Sequence, residues 1–151
     1  ETAFLIGLVS FLAGHVMFLM TFRHLLSQGA ARSSKRKQAV TMVLLFGVLT
    51  PTTSHLWGMA GDLAPAVAVY AAVIATMAYF SWVLGNGPGV LALRIGALFF
   101  MFSDLTLAFG RFGESPIPNG HFWVMGTYIL AQWALTVGFT EVALHRAASR
   151  P

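Results

Sequence analysis

No cysteine occurs anywhere in the 151-residue chain. That excludes a disulfide framework, thiolate metal sites and a cysteine nucleophile, and says nothing about compartment. Charge is almost as scarce: charged residues make up 9% of the chain, and only five are acidic. Soluble domains carry about 25% charged and about 45–50% apolar residues. Here the apolar share is 57% and the mean hydropathy +0.74. Such a chain cannot cover its apolar surface with polar side chains in water. No basic n-region precedes the first apolar run and no small-residue cleavage site follows it, so the start is not a signal peptide. The abrupt opening at Glu1 reads as a fragment or a processed form. No P-loop and no Ser/His/Asp set occurs. The five histidines, His15, His24, His55, His121 and His145, form no i, i+4 pair and no HExxH pattern. A bis-histidine haem needs two imidazoles at one depth, and only His15 lies deep in an apolar run. Neither a metal nor any other cofactor is expected.

What the chain does have is long apolar runs. A membrane helix needs about 20 mostly apolar residues, and five segments qualify, at about residues 3–26, 38–60, 63–84, 90–110 and 121–144. Between them lie "SQGAARSSKRK", "GD", "GNGPG" and "RFGESPIPNG", made of the Gly, Pro, Asn and charge that break helices. The expected fold is all-α, a polytopic transmembrane bundle of five helices, with residues 1–151 forming a single unit. Four of the nine basic residues, Arg32, Lys35, Arg36 and Lys37, share the first loop. Arg94 opens the fourth helix, Arg111 follows it, and Arg146 and Arg150 follow the fifth. The positive-inside rule then puts the first loop, the "GNGPG" loop and the C-terminus in the cytoplasm, with Glu1 and "GESPIPNG" outside. The net charge of +4 therefore reflects topology, and no nucleic-acid partner is expected.

Helix 3 reads as structure. Ala64, Ala68, Ala71, Ala75 and Ala78 recur at i+3/i+4 spacing, and a stripe of small residues lets membrane helices approach closely. Ala134 and Gly138 repeat the device in helix 5. Pro51 lies inside helix 2, where Thr50, Thr53 and Ser54 can re-satisfy the freed carbonyl.

Asp104 stands out. An ionisable group at the centre of a membrane helix costs roughly 2.5–3.5 kcal/mol or more. Asp104 either pairs with Arg111, seven residues on along one face, or lines a functional cavity. Tyr128, Gln132 and Thr136 recur every four residues and share one face of helix 5. Tyr128 falls close to the depth of Asp104, and His15 lies near mid-membrane.

Three stretches carry a resemblance. "FLIGLVSFLAGH" supplies Phe4, Gly7, Phe11 and His15, "GALFFMFSDLTLAFGRF" supplies Gly96, Phe100, Ser103, Asp104 and Phe112, and "YILAQ" supplies Tyr128, Ala131 and Gln132. In this order and spacing they resemble the YhhN-like family of membrane proteins, which includes lysoplasmalogenases. The similarity covers the C-terminal five of the family's roughly eight membrane helices. The family carries a further Gly-Asp motif on the helix just before the one that matches helix 1. Gly61-Asp62 is no substitute, because it sits in a loop.

The resemblance implies hydrolysis of the vinyl ether of a lysoplasmalogen, giving a fatty aldehyde and a glycerophospho-ethanolamine or -choline. Protonation of the vinyl β-carbon gives an oxocarbenium ion, water adds, and the hemiacetal collapses. The first step needs a protonated carboxylic acid, and apolar surroundings disfavour the anion. A second, ionised carboxylate would stabilise the cation and activate water, as in glycosidases. On this reading Asp104 is one of the two acids, and Tyr128 and Gln132 orient water or hold the acid's proton state. His15, Ser103, Arg111 and Trp123 are the substrate-binding candidates, with Arg111 toward the phosphate and Trp123 stacked on the head-group cation. The implied partners are a lysophospholipid and the bilayer, and the implied location is the bacterial inner membrane. The rival reading is a transporter or lipid-handling bundle with Asp104 as a proton or ion site, and a third is a structural bundle with an Asp104–Arg111 pair.

Overall fold

The computed structural model describes residues 2–149. Glu1 and Arg150, used above to orient the chain, lie outside the described residues, as does the side chain of Phe4. Five α-helices follow in order: α1 Thr2–Ser27, α2 Lys35–Ala60, α3 Ala64–Val83, α4 Val90–Phe112 and α5 Gly120–Ala148. Each expected apolar run is a helix. The ends differ where local chemistry extends them. α2 starts at Lys35 because Ser34 caps it, accepting a hydrogen bond from the Lys37 N–H at 3.4 Å. α5 runs to Ala148 with His145 and Arg146 in its last turn, where positive charge complements the helix dipole.

Residues Lys35–Val83 form one apolar helical stretch of 49 residues. Straight, it would be about 74 Å long, against a hydrocarbon core of about 30 Å. It is two crossings. Gly61, at φ 54°, takes a left-handed conformation that favours glycine. A single 3-10 turn, Gly61–Leu63, follows, and a proline in the first turn starts α3. α3 returns antiparallel along α2. Near Pro51 the hydroxyl that goes back to the α2 backbone is that of Thr52, onto the Val48 carbonyl at 2.7 Å, rather than those of Thr50, Thr53 or Ser54.

α4 and α5 form the closest pair. Gly89, Gly96 and Ser103 recur every seven residues on α4 and meet Gly138, Ala131 and Val124 at the same spacing on α5. A Cβ on Gly138 would sit 2.8 Å from the Gly89 carbonyl oxygen and 2.7 Å from Leu93 Cγ. One on Gly96 would sit 2.9 Å from the Leu135 backbone nitrogen. Small residues thus set the interhelical distance. The core of the bundle is Phe22, Met77, Leu93, Ala97, Phe100 and Leu135. Large apolar side chains also cover the outside: Ile6, Val9 and Met20 on α1, Val43 and Phe46 on α2, Leu91 on α4, and Ile129, Trp133 and Leu144 on α5 are all exposed. A surface this apolar belongs in lipid, and the chain is an integral membrane protein.

The basic-loop end is knitted together by backbone. The Ser33 N–H donates to the Val83 carbonyl at 2.8 Å and the Gly85 N–H to the Ala31 carbonyl at 2.7 Å. Arg146 donates to the Leu25 carbonyl at 2.8 Å and also to that of Gln28. The end of α1, the start of α2, the α3–α4 loop and the end of α5 therefore lie together.

Gly138→Val should lower the melting temperature in detergent, since overpacking costs about 1–3 kcal/mol. Gly126→Ala, with nothing within 4 Å of the added Cβ, should leave it unchanged or raise it. A Gly138→Val protein that melts with the parent would refute the close α4–α5 contact.

Candidate active site

Asp104 lies on the buried face of α4, 8% exposed. Its two carboxyl oxygens have different neighbours. Oδ1 accepts a hydrogen bond from the Tyr70 hydroxyl of α3 at 3.2 Å. Oδ2 faces His15 Nε2 of α1 at 3.5 Å, longer than a formed hydrogen bond. Among the described residues neither of these two atoms has a hydrogen-bond partner. The other ring nitrogen, His15 Nδ1, is 2.8 Å from the Phe11 carbonyl oxygen. A carbonyl only accepts, so Nδ1 carries hydrogen. In the neutral ring Nε2 then presents its lone pair to the carboxyl group. A proton on Oδ2 would point toward that lone pair.

The helices bring these residues level. His15, Tyr70 and Asp104 all lie about twelve to fourteen residues from the helix ends on the basic-loop side, or about 20 Å at 1.5 Å per residue. Aromatic rings enclose them. His15 packs edge-on against Phe100 at 4.4 Å and Tyr70 at 5.5 Å between centroids. Asp104 and Tyr70 also line a cavity of about 50 Å³ between α2, α3 and α4. The rest of its wall is mainly apolar, with Leu49, Leu56, Ile74 and Leu105 among the lining and Thr52 and Thr53 its only other polar side chains.

The other candidates are dispersed. Tyr128 is half-buried, with its ring edge-on to Phe11 and Phe100, both at 5.5 Å. Phe100 also packs on His15, so Tyr128 reaches the site through aromatic contact. Gln132 is half-buried on α5, and the Thr136 hydroxyl below it bonds the Gln132 carbonyl at 2.8 Å. Neither Tyr128 nor Gln132 lines the Asp104 cavity. The Ser103 hydroxyl is committed to the Val124 carbonyl at 2.9 Å, which ties α4 to α5. Arg111 is exposed, with its guanidinium 5.5 Å from the Phe112 ring centroid. Asp104 turns to Tyr70 and His15 instead of to Arg111, so the structural pair considered from sequence is not formed. Trp123 is 49% exposed near the same end. Asp62 is exposed in the α2–α3 turn, away from the site. Among the described residues no three His, Asp or Glu side chains gather to hold a metal ion.

Tyr70 is the residue that sequence reasoning missed. The available signal was depth: it lies as far into α3 as Asp104 lies into α4, once the two helices run antiparallel.

An apolar five-helix bundle with a buried acid, histidine and tyrosine at one level is an integral membrane protein with a polar site closed off from water. The sequence profile of the YhhN family matches residues 1–139, and the chain belongs to that family. It is 28% identical over 139 residues to lysoplasmalogenase TMEM86B of Sus scrofa, covering 92% of this chain and 55% of that protein. It is 29% identical over 144 residues to lysoplasmalogenase TMEM86A of Homo sapiens, covering 91% and 56%. The chain thus spans about half the length of the curated relatives it matches. No solved structure matches it.

Tyr70→Phe removes the one hydrogen bond to Asp104 and leaves a buried acceptor unpaired, which costs about 1–3 kcal/mol. Thermal unfolding in detergent should show that loss, with a smaller one for Arg111→Gln. The reverse order would contradict the assignment of Asp104's partners.

Proposed function

We propose that the protein is a membrane hydrolase that cleaves the vinyl ether of lysoplasmalogens, with Asp104 as the acid and His15 as its proton partner. The observation that carries this reading is the buried facing pair, Asp104 Oδ2 and His15 Nε2 at 3.5 Å, of which Asp104 lines an apolar cavity. Vinyl-ether cleavage needs one proton delivered to carbon, one water, and one proton returned to the leaving oxygen. A carboxyl group and an imidazole that face each other can make both proton transfers, and water is the co-substrate.

Asp104 gives its proton to the β-carbon, the double-bond electrons form the new C–H bond, and the ether oxygen stabilises the cation. The carboxylate left behind, held on Oδ1 by the Tyr70 hydroxyl, lies against the oxocarbenium ion. Water adds to the cationic carbon and its proton passes to His15 Nε2. The hemiacetal C–O bond to glycerol then breaks, with His15 returning that proton to the leaving oxygen. The carbonyl forms as the hemiacetal hydroxyl gives its proton to Asp104. The balance is one water consumed, one aldehyde and one glycerol hydroxyl formed, and the acid restored. A positioned acid–base pair contributes about 10²–10⁴-fold. Tyr128 reaches this centre from α5 only through the Phe100 ring, and a further acid on an upstream helix, as the family resemblance implies, would add to it.

Depth supports one orientation of the substrate. Asp104 is about 12 Å from the Phe112 end of α4 and about 21 Å from its Val90 end. One glycerol unit separates the phosphate of a lysoplasmalogen from its vinyl ether, a short reach. Its head group therefore belongs at the Phe112 end, with Arg111 toward the phosphate and Trp123 toward the head-group cation. The basic loop and C-terminus take the cytoplasmic side, in a bacterial cell membrane.

The same buried pair suits a second reading, a lipid-handling bundle or transporter that moves a proton through Asp104 and His15. The two readings part on chemistry. Asp104→Asn, which keeps the size and one hydrogen-bond acceptor, should lower aldehyde release from a vinyl-ether lysophospholipid by about 10²-fold or more while the protein stays folded. His15→Gln should lower it by a similar factor. Turnover near the parent rate by Asp104→Asn would end the hydrolase reading. Lipid uptake into vesicles without aldehyde would favour the second.

A further inference from the structure

α2 and α4 meet at one end and part at the other. Near the Phe112 end, the cluster of Leu56 and Ala60 packs against Ala108, Phe109 and Phe112. Toward the basic loop the two helices leave a groove of about 690 Å³, with Trp82 of α3 also lining it. Arg36, Lys37 and Arg94 line its charged end, and Val40, Leu44 and Leu98 its apolar wall. Among the described residues no carboxylate lines it.

Arg94 separates this groove from an ordinary solvated loop cluster. Its guanidinium is fixed by donation to neutral oxygens: Nε to the Ser81 carbonyl at 3.4 Å, one terminal nitrogen to Asn86 Oδ1 at 3.2 Å, the other to the Leu84 carbonyl at 2.9 Å. It also lies 5.0 Å from the Trp82 ring centroid. An arginine has five N–H groups, so these three bonds leave two for a ligand, and none of the three acceptors cancels its charge.

We propose that this groove binds an anionic phospholipid from the leaflet on the basic-loop side. Its phosphate rests on Arg36, Lys37 and Arg94, and one acyl chain runs along Val40, Leu44 and Leu98. The charges choose the head group: a zwitterionic lipid would press its ammonium against three cations with no carboxylate to receive it. The apolar wall chooses a lipid over free phosphate. Leu45, Val48 and Met101 line both this groove and the cavity at Asp104, so the end of the chain packs against the wall of the candidate active site. This lipid lies at the opposite end from the proposed substrate head group, and its site does not depend on the hydrolase reading.

The test is native mass spectrometry of the protein in non-ionic detergent, with phosphatidylglycerol and phosphatidylcholine added at equal concentration and, in separate arms, inorganic phosphate or lysophosphatidylcholine as competitor. One retained phosphatidylglycerol is expected, in preference to phosphatidylcholine and resistant to both competitors. Arg36→Ala/Lys37→Ala, at two exposed positions, should weaken retention about tenfold or more. Thr41→Trp, which fills the groove and keeps its charges, should weaken it as well. Arg94→Gln is not the decisive variant, because it also uncaps α3. Equal retention of the two lipids, retention unchanged in both variants, or displacement by phosphate or by lysophosphatidylcholine would overturn the proposal.

Discussion

A carboxyl group inside an apolar bundle needs a partner within reach, and the placement of α1, α3 and α4 around Asp104 answers that need. Desolvating an unpaired polar group costs several kcal/mol in hydrocarbon, where no water can make up the loss. Tyr70 serves one oxygen and His15 faces the other. Phe100 packs on the imidazole, and Phe11 holds its far nitrogen. Three helices are thus keyed to one side chain. α5 is keyed instead to α4 by glycine, alanine and serine contacts every seven residues. α4, which belongs to both arrangements, is the central helix of the bundle.

The five helices could be read from the chain because a run of about 20 apolar residues has few alternatives to a membrane helix, and Gly, Pro and charge mark every break. The two ends that moved furthest, at Lys35 and Ala148, turn on a serine cap and a basic last turn, which hydropathy does not register. Asp104 was legible for the opposite reason, as the one acid deep inside an apolar run. Its partner was not. Arg111 is visible as a partner because it lies on the same helix at a fixed spacing, whereas Tyr70 is 34 positions away in sequence. It becomes a neighbour only when α3 and α4 are laid antiparallel at matching depth. Its helix, striped with alanine, reads as packing alone. Ser103 shows the converse. It stands beside Asp104 in sequence, but neighbouring helical residues point about 100° apart, and its hydroxyl goes to α5. Tyr128 and Gln132 do share a face, yet the small residues Ala131 and Gly138 decide which part of α5 meets α4.

The two ends of the bundle differ in construction. At the basic-loop end, backbone hydrogen bonds and arginine caps join the end of α1, the start of α2, the α3–α4 loop and the end of α5. The buried polar site lies roughly 20 Å from this end, with Asp104 and Tyr70 nearer to the opposite ends of α4 and α3. The cluster of Arg32, Lys35, Arg36 and Lys37 lies at the basic-loop end. The buried acid and imidazole face each other away from that cluster, where they interact through a low local dielectric.

The central claim is that the site passes a proton to carbon. The most direct measurement is the mass of the aldehyde released from a vinyl-ether lysophospholipid in deuterated water. Proton delivery from an exchangeable Asp104–His15 pair predicts one deuterium on the carbon next to the carbonyl. An aldehyde that carries no deuterium there would contradict the account.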